Sequence, residues 1–157
     1  MKRGLFALFA VFLLVYSVAP TFAEESGSAI GTFGFGFTVG SSYGYSETLT
    51  TLCFDLDLVS EIGLAVSFGS MTNFEIGTGI ANLPYIGVGY RYLADKWDIG
   101  LSVFLVPFYS DGIVGIKASG GYWFTKSLGM TLTTMFGLGV STDITLFSLR
   151  PGISVRL

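Results

Sequence analysis

The 157-residue sequence contains no histidine. That removes the serine–histidine and histidine–aspartate chemistry on which barrel proteases, deacylases and acyltransferases depend. It also leaves no Cys/His set for zinc. Cys53 is the only cysteine, so no intramolecular disulfide can form, and its expected role is that of a small inward-facing filler. No Asp-rich calcium loop is present. Gly34 and Gly36 lie inside a strand pattern and open no helix, so they form no nucleotide loop. No cofactor is expected.

Charge is scarce. Only 12% of the residues are charged, against 51% hydrophobic. A soluble domain carries roughly 25% charged residues, so this chain lacks the means to cover a water-facing surface. Basic residues are fewer still. From Glu24 onward there are six basic and eleven acidic residues, a formal charge of −5. Nucleic acid, which needs a basic surface, is therefore not an expected partner. Helix-length apolar runs are also lacking after the first 23 residues. The best candidates, 99–109 and 128–140, are short and rich in glycine and β-branched residues.

The amino terminus is of another kind. Met1-Lys2-Arg3 is basic, 5–18 is apolar, and Thr21-Phe22-Ala23 ends in a small residue before Glu24-Glu25. This is the pattern of a secretory signal cleaved after Ala23, leaving residues 24–157 as one domain. A retained membrane anchor is the rival reading, but the apolar run is short for a span.

Along the rest of the chain two faces alternate. Phe33, Phe35, Phe37 and Val39 point one way; Thr32, Gly34, Gly36 and Thr38 point the other. The pattern returns seven times, which predicts eight strands over 30–40, 48–58, 62–70, 83–92, 97–106, 113–124, 128–138 and 145–157. Each is near the ~9–11 residues a tilted strand needs to cross a bilayer. The connections alternate too. Residues 59–61, 94–95 and 125–127 read as tight turns; 41–47, 71–82, 107–112 and 139–144 read as longer loops. Large apolar residues outside and small or weakly polar ones inside predict an all-β fold. It is an eight-stranded, antiparallel, up-and-down transmembrane barrel with both termini on the short-turn side.

Parity assigns seven charges to the inside: Asp55, Asp57, Arg91, Asp98, Lys117, Arg150 and Arg156. Buried charges need partners, and an eight-stranded barrel is just wide enough for side chains to fill, so these read as a salt-bridge network that plugs the lumen. A polar relay or narrow conduit is the functional alternative. Asp55 and Asp57, two apart on one face, could also pair as acid and base in a barrel enzyme; balancing inward cations is the simpler reading. Many inward positions are glycine. Either aromatics lie over these glycines or an apolar cavity remains. Tyr90, Tyr92, Trp97, Tyr122 and Phe124 fall on the outer face near the short-turn end, where a ring of aromatics marks a membrane interface. The turn between the fourth and fifth predicted strands is expected at Ala94-Asp95, with Tyr92 opposite Trp97 and Arg91 opposite Asp98.

By this pattern the chain resembles the small outer-membrane barrels of the OmpA, OmpX and OmpW kind. The resemblance covers the chain from Glu24 onward. It implies a location in the outer membrane, with membrane lipid and, during biogenesis, the assembly machinery as partners. It also implies a non-enzymatic, structural or surface-interaction role. The OmpW members add a rival, the passage of a small hydrophobic solute. One departure stands at the end of the chain. Such proteins commonly finish in an aromatic residue, whereas this one finishes Ser154-Val155-Arg156-Leu157.

Overall fold

The computed structural model describes residues 27–42, 45–75, 79–107, 112–140 and 143–157. The expected signal at 1–23 lies outside the described residues. Eight antiparallel strands form a closed barrel in sequence order. They are β1 (Ser28–Ser42), β2 (Tyr45–Val59), β3 (Leu64–Glu75), β4 (Gly79–Leu93), β5 (Trp97–Val106), β6 (Ile113–Trp123), β7 (Leu128–Gly139) and β8 (Thr145–Arg156). Closure is made by β1 against β8, from Ile30 opposite Arg156 to Ser41 opposite Thr145. The Leu157 amide also donates to the Ala29 carbonyl, so both ends of the barrel domain meet at the short-turn end. A closed sheet leaves no row of unpaired backbone groups facing lipid.

The alternating pattern produces this wall directly. Along β5 every odd position from Trp97 to Leu105 is exposed and every even one buried. Phe33, Phe35, Phe54, Val88, Leu101, Ile116, Met130 and Ile153 are all exposed, and all have outward parity. A water-soluble barrel would present the opposite arrangement. Leu56 and Leu58 keep the outward parity of Leu52 and Phe54. They are nevertheless buried, clustered with Ala29 and packed by Phe68.

Two expectations about the strands need correction. First, 41–47 and 71–82 are not long loops. β1 and β2 pair up to Ser42 opposite Tyr45, and β3 and β4 pair up to Glu75 opposite Gly79. Only 43–44 and 76–78 lie between them. The apolar alternation fades in these segments, so no periodic signal marks the strands as continuing. The longer connections on that end are those after β5 and β7.

The β3–β4 hairpin also extends past β5. The β4–β5 ladder stops at Ile86 opposite Leu105, although β4 begins at Gly79. Pro84, which has no amide to donate, falls in the stretch without a β5 partner, where it interrupts no ladder on that side. Pro151, by contrast, lies where the closing seam is interrupted. Pairing of β1 with β8 lapses at Phe35–Gly36, between Gly34 opposite Gly152 and Phe37 opposite Leu149.

Second, Ile62 and Gly63 belong to the β2–β3 turn and not to β3. Gly63 has φ of 85°, in the left-handed region, and a Cβ there would press into the Tyr90 ring 2.5–2.8 Å away. Gly63→Ala should therefore destabilise by about 1–3 kcal/mol, through backbone strain and the displaced ring. Denaturant unfolding of the folded barrel measures this. An unchanged midpoint would show that the turn adopts another conformation.

Candidate functional site

The lumen is the only place where polar side chains converge among the described residues, and it is built in layers. At the long-connection end, Met71, Tyr85, Phe104, Val106, Ile113, Met135 and Leu146 form one buried apolar cluster. At the short-turn end, Ile30, Val59, Ala65 and Trp123 form another, with Leu93 against it. The charges lie between them.

Inward glycines make this filling possible. The Tyr85 ring lies over Gly69, Phe104 lies over Gly115 and Gly137, and Trp123 lies over Gly129. At Gly69, Gly115 and Gly129 a Cβ would stand closer to the ring than side chains tolerate, and at Gly137 it would be tight, 3.1 Å from Phe104. At these four glycines the aromatics are seated on the glycines, the first of the two options the sequence leaves open. Tyr85 and Phe104 also meet edge to face, with centroids 5.7 Å apart, a favoured aromatic geometry.

The seven charges all face inward. Asp55, Asp57, Arg91, Asp98, Lys117 and Arg150 are buried, and Arg156 is half-buried. Arg91 is the hub. Its Nε and Nη2 donate to Asp98 Oδ1 at 2.9 and 2.6 Å, and its Nη1 donates to Asp57 Oδ2. Lys117 Nζ donates to the other Asp57 oxygen at 2.8 Å and to Ser67 Oγ at 3.3 Å. Asp98 Oδ2 accepts from Trp123 Nε1 at 2.6 Å. Asp55 accepts from the Tyr85 hydroxyl, and its other oxygen lies 3.7 Å from Arg150 Nη2. Arg156 stacks over the Trp123 ring, 4.3 Å from its centroid, a cation–π contact. Asp55 and Asp57 therefore face different cations.

Hydroxyl groups complete the polar inner wall. Thr51 donates to Thr38, Thr38 donates to Ser148, and Ser148 donates to the Phe37 carbonyl. Ser154 joins Thr32 and Thr131 across the β1–β8–β7 seam. Cys53 is buried beside Gly34.

The Arg91–Asp98 contact arises by a different register from the expected one. Asp98 stands opposite Leu93, and Arg91 stands opposite Gly100. Ala94 N–H donates to the Trp97 carbonyl at 2.9 Å, so the turn is Asp95-Lys96, one residue later than expected, and the pairing is shifted by two residues. Lacking a side chain, Gly100 lets the Arg91 stem pass over it, 3.3 Å from where a Cβ would lie, and reach Asp98 diagonally. Trp97 and Tyr92 likewise meet diagonally, with ring centroids 5.5 Å apart.

Trp97 pairs with Tyr122, and Tyr122 meets Phe124 edge to face at 5.7 Å. Tyr90, Tyr92, Trp97, Tyr122 and Phe124 are all exposed on the outer surface toward the short-turn end. Tyr85 and Trp123 are functional lumen residues that parity alone does not single out. Both are aromatic residues with a polar tip at inward parity, and that combination is the sign in the sequence that they bond to the inner carboxylates.

Neither a protein-family model nor a curated protein sequence matches the chain. Solved structures do match. Neisserial surface protein A (NspA) superposes with a TM-score of 0.60 at 9% identity, over 83% of this chain and 96% of that one. Ail, the attachment invasion locus protein of Yersinia pestis, gives 0.56 at 11% identity, over 85% and 99%. A de novo designed transmembrane β-barrel gives 0.56 at 13% identity, over 84% and 96%. At such identities the likeness is one of fold: the chain has the architecture of the small eight-stranded membrane barrels.

Proposed function

We propose that this chain is a non-enzymatic, integral outer-membrane barrel protein with a structural or surface-interaction role. In this reading residues 1–23 direct export and are removed, the apolar wall faces membrane lipid, and the lumen is closed. The observation that carries the closed lumen is the pairing of Asp57, Arg91, Asp98 and Lys117 between two apolar layers. A conduit would leave such groups hydrated, whereas here they satisfy one another.

Similarity to NspA and Ail favours a surface role, since one is described as a surface protein and the other as an attachment protein. Ail has also been crystallised with the heparin analogue sucrose octasulfate. The outer connections here differ in charge from what such a ligand needs. Glu47, Glu75, Asp111 and Asp143 fall in or beside the four connections on that end, and no Lys or Arg does. A sulfated polyanion would be repelled there, so a surface partner of this end is neutral or cationic.

Passage of a small hydrophobic solute is the second reading, and the seating of Tyr85, Phe104 and Trp123 on glycines argues against it. Reconstitution into planar bilayers distinguishes the two. The closed barrel should show no steady conductance at neutral pH comparable to a porin's. It should also not speed the entry of a small apolar solute into vesicles. Sustained current or accelerated uptake would replace the structural reading with transport.

A further inference from the structure

We propose that Lys96 and Lys126 hold the headgroup of one anionic phospholipid at the short-turn end, with its acyl chain along the outer face of β6. This rests on the reading that the wall faces membrane lipid. Of the six basic residues from Glu24 onward, Arg91, Lys117, Arg150 and Arg156 face the lumen. The other two are Lys96 and Lys126, and both are exposed. They stand in adjacent turns. The Trp123 amide donates to the Lys96 carbonyl at 2.8 Å, which ties the β4–β5 turn to the end of β6. Lys126 lies just beyond, in the β6–β7 turn. There the Thr125 hydroxyl accepts from the Ser127 and Leu128 amides at 3.3 and 2.9 Å and holds the turn in shape. Neither lysine forms an ion pair among the described residues.

The outer surface beside these turns selects the ligand. Trp97, Tyr122 and Phe124 are exposed there, and such an aromatic band sits at headgroup level. A lysine stem rising from a turn above the band reaches the phosphates. Farther into the membrane the outer face of β6 is low. Gly120 has no heavy atom within 4 Å of where a Cβ would stand, and the next outward residue is the small Ala118. Ile99 and Leu132, paired with Gly120 on either side, are exposed and form walls. A soluble anion would meet the lysines and leave this apolar surface unused; a phospholipid engages both. Charge then favours an anionic headgroup, because a zwitterionic one brings its own cation to the lysines. Asp95 adjoins Lys96 and offsets part of its charge. Glu61, the other exposed acid at this end among the described residues, lies in the β2–β3 turn, across the closed barrel from the β6–β7 turn.

Fluorescence quenching by brominated lipid tests this, because the two tryptophans stand on opposite sides of the wall. Trp97 is on the outer face beside the site, and Trp123 is buried in the lumen. The barrel is folded into phosphatidylcholine vesicles that contain a small, equal fraction of chain-brominated phosphatidylglycerol or chain-brominated phosphatidylcholine. Phosphatidylglycerol should associate beside Trp97 about fivefold more strongly, the worth of roughly one lysine facing anionic lipid. Lys96→Gln combined with Lys126→Gln should bring this ratio close to one. Gly120→Leu fills the low surface and should also reduce it; no change would overturn the placement of the acyl chain. Equal quenching by the two lipids in the wild type would overturn the proposal, and so would an unchanged ratio in the double lysine variant. Loss of the preference on adding inorganic phosphate at constant ionic strength would assign the lysines to the free ion and overturn the lipid. An absence of quenching by either lipid is a different failure: it would show that Trp97 does not face hydrocarbon, and the lipid-facing wall would fall together with the site.

Discussion

Arg91→Met should destabilise the barrel by about 3–5 kcal/mol, the largest effect expected of any single lumen substitution. Methionine preserves most of the side-chain volume, so the loss is electrostatic. Arg91 gives three of its nitrogens to two carboxylates. After the change Asp57 keeps Lys117, but Asp98 keeps only the Trp123 indole N–H. Asp98 is 2% exposed, so water cannot replace the missing partner. The damage should be recovered in part by Arg91→Met combined with Asp98→Asn, which removes the stranded charge. The double variant should cost clearly less than the sum of the single changes, because residues in one hydrogen-bonded network do not add. Urea unfolding in vesicles, followed by tryptophan fluorescence, measures the cycle. Strict additivity would show that Arg91 and Asp98 are not coupled.

How that pair is made shows which parts of the fold were legible in the sequence. Side-chain direction in a strand repeats every two residues, so a register shift of two leaves every face unchanged. Arg91 and Asp98 therefore had to face inward, whatever the turn. The residue opposite each was not legible, because the turn contains no Asn-Gly or similar signal to fix its position. The result is a two-residue turn at Asp95-Lys96, with Arg91 over Gly100. Parity likewise put all seven charges inside and the five interface aromatics outside, and it located the eight strands.

Other features have no periodic trace. The continuation of β1 to β4 beyond 40, 48, 70 and 83 was read as loop, since the strong apolar alternation fades there. The role of Gly63 was hidden because an inward strand glycine and a left-handed turn glycine look alike in sequence. The partnership of Tyr85 with Asp55 and of Trp123 with Asp98 depends on which strands face one another across the lumen, and strand-by-strand reading does not reach that far. The closed order of strands supplies it.

Leu101→Arg should destabilise by about 2–4 kcal/mol in a lipid bilayer, the cost of a cation on the lipid face near mid-membrane. Leu101 is the fifth residue of the ten-residue β5 and lies between Tyr90 and Ala118 on the neighbouring strands. It is 61% exposed. In a water-soluble barrel a leucine so exposed could become arginine at almost no cost, and solubility would improve. The sign of the effect therefore reports which solvent the wall faces. Depth supplies the internal control. Ile62 is also exposed, at 70%, but sits in the β2–β3 turn at the end of the barrel. Ile62→Arg should cost only about 0–1 kcal/mol, because a long cationic side chain there reaches the interface. Leu101→Phe should fold like wild type, since lipid imposes no fixed shape on that face. Equilibrium unfolding of the three variants in vesicles of one composition gives the comparison. Equal stability for Leu101→Arg and wild type would mean that the outer wall is not in contact with hydrocarbon.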